Sequence, residues 1–110
     1  MTYLPGAGFP TLTEVRAWIQ VPATVLPDEQ LDVVAAAEQA TVTAGYAWDG
    51  VTLPDNLVAV FYRLVARHVA AKGVSLGLLA SDAEYGGARL SRWDAEVTRL
   101  GGANRVRSFA

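Results

Sequence analysis

The sequence predicts an all-α protein, a small bundle of three to four helices around a central αα-hairpin. Three observations carry this. The stretch LPDNLVAVFYRLVARHVAAKG, Leu53 to Gly73, repeats apolar residues at helical spacing over its whole length. The entry signal Leu-Pro-Asp occurs twice, at Leu26 and at Leu53, and proline followed by acid suits the start of a helix. Hydrophobic residues make up 52% of the chain and charged ones 18%, below the usual ~25%, so the chain has enough apolar material for one core. One domain is expected over residues 1–110, with an N-terminal arm (1–10), a helical core (11–100) and a C-terminal arm (101–110).

The elements follow in order. Residues 1–10 hold two prolines and two glycines and show no period; they read as an arm that is ordered only where it lies on something. Thr11 and Glu14 have capping-box spacing, and Leu12, Val15, Trp18 and Ile19 then share a face until Pro22 ends the helix. The second helix starts at LPDEQ, with Pro27 at the first helical position. Leu31, Val34, Ala35 and Val42 form its stripe, and its run of alanines lets another helix approach closely. The third helix starts at LPDNL, joined to the second as an αα-hairpin. Leu57, Phe61, Leu64, Val65 and His68 fall on one side, with Val58, Tyr62 and Val69 beside them. Its polar side is narrow, limited to Asn56, Arg63 and Arg67. A helix this apolar is a buried one, and the sequence predicts the second helix on one side and a second subunit on the other. The pattern then changes: glycines at 73, 77, 86 and 87 fit a hairpin or a long loop over about 74–90, with Gly86-Gly87 as its turn. Asp94 is expected to cap a last short helix, Ala95 to about Leu100, which Gly101-Gly102 breaks.

Charge divides the chain. Up to residue 60, Arg16 stands alone against Glu14, Asp28, Glu29, Asp32, Glu38, Asp49 and Asp55; from Arg89 on, five arginines face Asp94 and Glu96. Such a chain can meet a copy of itself head to tail. With no cysteine there is no disulfide framework and no thiolate metal site. The N-terminus lacks the features of a signal peptide, and no stretch is apolar for long enough to span a bilayer, so no membrane association is expected.

Chemistry-bearing motifs are sparse. His68 is the single histidine, placed on an apolar helix side without a second ligand at metal spacing, and reads as structural. The serines lie outside any GxSxG elbow, the glycines form no phosphate loop, and Asp28, Glu29 and Asp32 are accounted for largely by a helix start. No enzyme, cofactor or metal is expected. One lysine and a pI near 5.2 argue against nucleic-acid binding through a basic patch. Glu38 falls in line with apolar residues, where a lone carboxylate is costly. It is expected to pair with Arg63, Arg67 or His68, of its own third helix or of a neighbouring copy.

Three segments, AAAEQATVTAGY in the second helix, the LPxxL start of the third, and the terminal RWDAEVTRL, together with the helix order over about residues 11–100, give the chain a likeness to a known family. It resembles the head-to-tail connector (adaptor, head-completion) proteins of long-tailed bacteriophages, most closely those of actinobacteriophages. The resemblance implies a small helical structural protein of the virion. It would form an oligomeric ring, commonly of twelve copies, joining the capsid portal to the next connector, a stopper or tail-terminator ring. The ring would continue the channel for double-stranded DNA without reading its sequence. Localisation is then the virion neck, reached from the host cytoplasm during assembly. Relatives of this kind often use a C-terminal arm to grip neighbours or the portal, so Arg99, Arg105, Arg107 and Phe109 are the expected docking residues, and Glu38, Arg63, Arg67 and Tyr62 the expected subunit-interface residues. The tail GGANRVRSFA, with its two glycines, departs from the more regular helix of many such proteins. The alternative reading is a small helical regulator that binds a protein partner as a dimer.

Overall fold

The computed structural model describes residues 3–72 and 86–104, the latter by backbone alone at 86–91, 93 and 103. The described residues form a bundle of four helices: α1 (Leu12–Ile19), α2 (Asp28–Gly45), α3 (Asp55–Ala71) and α4 (Gly86–Gly101), the last running into a 3-10 turn at Gly102–Asn104. The all-α reading holds. Helix α1 begins as its sequence requires. Thr11 accepts the amide of Glu14 at 3.2 Å through its hydroxyl, and Glu14 accepts the Thr11 amide at 3.2 Å, a reciprocal capping box. It ends at Gln20 in the left-handed conformation, ahead of Pro22. The two LPD signals do open α2 and α3, with Pro27 and Pro54 at the N-cap rather than at the first helical position. That is a shift of one residue, within which helix ends are ordinarily defined.

Helix α3 is the axis of the bundle. It touches α1, α2 and α4, whereas α2 and α4 do not touch each other among the described residues. Leu57, Val60, Phe61, Val65, Ala66 and Val69 are buried along it. The side expected to wait for a second subunit is therefore covered by this chain's own α1 and α4. The reason is the length of α4. Sequence placed a hairpin or loop up to about residue 90 and a short helix capped by Asp94; instead the helix starts at Gly86, and Asp94 lies inside it. The expected hairpin or loop over residues 74–85 lies outside the described residues.

The N-terminal arm lies on the bundle and supplies part of its core. Tyr3 and Phe9 are buried. The Tyr3 ring stacks on Phe61 with centroids 6.0 Å apart, and Phe9 meets Phe61 edge-on at 5.3 Å and Trp48 at 5.9 Å. Backbone ties hold the arm in place. The Tyr3 amide donates to Asp32 at 2.7 Å, Gln39 donates to the Leu4 carbonyl at 3.0 Å, and the Leu53 amide donates to the Ala7 carbonyl at 2.7 Å. Gly8 follows at φ +87°, and a Cβ there would sit 3.1 Å from the Leu53 nitrogen. Glycine is needed there for both backbone conformation and space. In the α2–α3 connection, Asp49 accepts the amides of Val51 and Thr52, and these bonds hold its carboxyl below its ordinary pKa.

Two predictions follow from this core. Phe61 is the largest fully buried side chain among the described residues and joins the arm to α3; Phe61→Ala should cost about 3–5 kcal/mol, read as a fall in the urea midpoint. The Tyr3 phenol, hydrogen-bonded to the Pro10 carbonyl at 2.6 Å, is raised far above its ordinary pKa of 10.0, first by burial and then by Tyr62 and Glu14. Tyr62 is raised too, by burial first and then by Glu14. The folded state thus holds protons that the unfolded chain gives up, and stability is full below pH ~10 and falls as pH rises above it. Urea midpoints should drop between about pH 9 and about pH 11, and Tyr3→Phe should flatten that drop.

Candidate functional site

The polar side of α3 is where charged residues converge. Arg63 donates from Nε to Glu96 of α4 at 2.7 Å and from a terminal nitrogen to the Ala59 carbonyl at 3.0 Å. Arg67 Nε lies 3.0 Å from Asp94. The pairs differ in setting. Arg63 and Glu96 are 21% and 25% exposed, Arg67 and Asp94 42% and 57%, so the first contributes more to holding α4 and the second little. Tyr62 stacks flat on Trp18 of α1, centroids 5.2 Å apart and planes 9° off parallel, and the Arg63 guanidinium lies 6.0 Å over the same Trp18 ring.

Glu38 finds the third of its expected partners. His68 Nδ1 lies 2.8 Å from Glu38 Oε2, within the same chain, with the two side chains 32% and 15% exposed. The pair ties the middle of α2 to the end of α3. It borders a groove of about 460 Å³ lined by Glu38, Leu64, Arg67, His68, Ala70 and Ala71. Among the described residues no cluster of His, Cys, Asp or Glu could hold a metal ion. Each of the four expected interface residues, Glu38, Tyr62, Arg63 and Arg67, thus has a partner in its own fold. Arg67 keeps the most open surface of the three charged ones.

The second convergence is at the C-terminal end of α4. Asn56 donates to the Leu100 carbonyl at 2.8 Å and to the Asn104 side chain at 2.9 Å. Asn104 donates to the Ala47 carbonyl at 2.9 Å, and the Ala47 amide donates to the Asn104 carbonyl. Gly101 is buried against Tyr46; a Cβ there would come within 3.1 Å of Tyr46 Cζ, so the ring and the helix meet at a distance only glycine allows. Arg99, in the last turn, is exposed. Arg105, Arg107 and Phe109 lie outside the described residues. Sequence reading missed Asn56 and Asn104, which carry no pattern of their own. It also missed Asp94 and Glu96 as partners, although two acids on a helix facing Arg63 and Arg67 across it were a usable signal.

No helix among the described residues is long and apolar enough to cross a membrane. No family model matches the chain, and neither a curated protein nor a solved structure matches it.

If Glu38 and His68 form one unit, a double-mutant cycle should show it. Glu38→Ala should cost roughly 1–3 kcal/mol, His68→Ala a similar amount, and the double variant less than their sum by at least ~0.5 kcal/mol. Urea unfolding of the four proteins reads the coupling; strict additivity would mean the contact contributes nothing.

Proposed function

We propose that this chain is a structural subunit of a phage head-to-tail connector, forming a ring between the portal and the next connector and continuing the DNA channel. The observation that carries the reading is the clamp at Asn104. The 3-10 turn is bonded to Ala47 and Asn56, so the basic segment that follows, with Arg105, Arg107 and Phe109, starts from a fixed point on the body. A segment that carries two arginines and an aromatic from a fixed root suits docking. Arginine meets carboxylates with two parallel bonds, and a phenyl ring fills a pocket. Support also comes from the likeness in helix order and from charge. Asp28, Glu29, Asp49 and Asp55 are all exposed, and a channel lined by such residues repels phosphate and lets DNA slide. The subunit's work is then geometric, and the reading assigns it no catalysis.

The clamp also says where an arm can be cut. Removing residues from 101 on would take away the bonds to Ala47 and Asn56 and loosen α4, so the test truncation is of 105–110 alone. That variant should keep its helical circular dichroism and thermal midpoint and lose incorporation between portal and tail in complemented particles. Full incorporation of the truncated chain would remove the docking assignment.

A further inference from the structure

Helix α2 is apolar on two opposite faces. One faces the core through Leu31, Val34, Ala35 and Val42. On the other, Val33 is 51% exposed, and Ala37, Ala40 and Ala44 are exposed with it. These four recur at intervals of four, three and four residues, which at 100° per residue places them directly opposite Ala35. That is the spacing of a seam that takes a second helix, and nothing among the described residues of this chain covers it.

Helix α4 offers the matching face. Its inner side reaches α3 through Glu96, Asp94 and the Leu100 carbonyl. Its outer side exposes Arg92, Ala95 and Arg99, at intervals of three and four and directly opposite half-buried Val97. The acids of α4 are paired inward, so the outer face keeps only positive charge. At the start of α2 the reverse holds. Asp28 is paired with Arg16 at 2.6 Å and Asp32 accepts the Tyr3 amide, and exposed Glu29, one turn before Val33, is left with no ion pair among the described residues. Both helices pack on α3 and do not touch each other among the described residues, so neither outer face is covered by the other helix.

We infer that the outer face of α2 in one copy receives the outer face of α4 in the next, a head-to-tail contact between copies of this chain. Alanines on both sides let the helix axes approach. The arginine stems lie along the Val33–Ala44 seam while their guanidinium groups reach Glu29 and the carbonyl end of α2. Charge selects this pairing over α2 against α2, which offers the α4 arginines no partner and, in the parallel sense, sets Glu29 beside its own copy. Two different faces on one chain repeat without saturating, which is the requirement for a ring. The inference rests on the ring reading above and names its contact.

The chain has no cysteine, so the contact can be read by cross-linking. Ala40→Cys and Ala95→Cys are exposed changes that leave the core alone. Mixed and treated with a short bismaleimide, the two single variants should give a covalent dimer that neither gives by itself, and the chain carrying both should give a ladder. Arg99→Glu should weaken association at least ten-fold by sedimentation, and Glu29→Arg on the same chain should restore much of it. Dimers from Ala40→Cys alone would overturn the inference in favour of α2 against α2. Oligomers by native mass without the mixed cross-link would overturn it and leave the connector reading standing. A chain that neither cross-links nor associates at the highest soluble concentration also overturns it, while the truncation in particles reads the connector assignment separately.

Discussion

The bundle depends on the burial of α3. Its ring of Leu57, Val60, Phe61, Val65, Ala66 and Val69 covers too wide an arc for a single neighbouring helix. Three helices and an arm of the same chain complete it: α1, α2 and α4 all pack on α3, with Tyr3 and Phe9 closing on Phe61. Most other features of the described structure answer to that demand. The eight-residue α1 and the N-terminal arm would be marginal alone; against α3 each gains its burial.

The same arrangement decides what is left over. Polar residues on the narrow side of α3 are engaged within the chain, Arg63 and Arg67 with α4 and His68 with Glu38 of α2. Helices on the flanks of a central helix have only one face each inside. For α4 the outside is charged, as expected for a surface helix. For α2 it is valine and alanine, which contributes nothing to solubility and makes sense against another helix. In the inference drawn above, a second copy meets the outer face of α2 rather than α3.

Much of this was legible in the residues. The Thr11–Glu14 box, the two LPD starts and the core stripe of α2 are local signals, and local signals set helix starts. Glu38 was legible as a misfit, a carboxylate among apolar positions, and His68 was among its candidate partners. What escaped depended on contacts distant in sequence. Gly86 and Gly87 argue against a helix on propensity, yet α4 begins there; downstream, its pairs with Arg63, Arg67 and Asn56 hold it on α3. Tyr3 and Phe9 sit in a segment with no period, and bonds distant in sequence, Ala7–Leu53, Tyr3–Asp32 and Leu4–Gln39, bring them to Phe61. The clamp at Asn104 joins residues 47, 56 and 104, a constellation with no sequence spacing to read. Arg105, Arg107 and Phe109 remain sequence-level candidates whose root, but not whose placement, is described.

Native-state hydrogen exchange on dilute protein tests most directly whether α3 is sheltered by its own chain. The account predicts that the amides of Val60 to Val69 are the slowest in the molecule, opening only with global unfolding, and that their protection does not change with protein concentration. Protection of α3 that appears only as the concentration is raised would contradict it, because the shelter would then come from other copies.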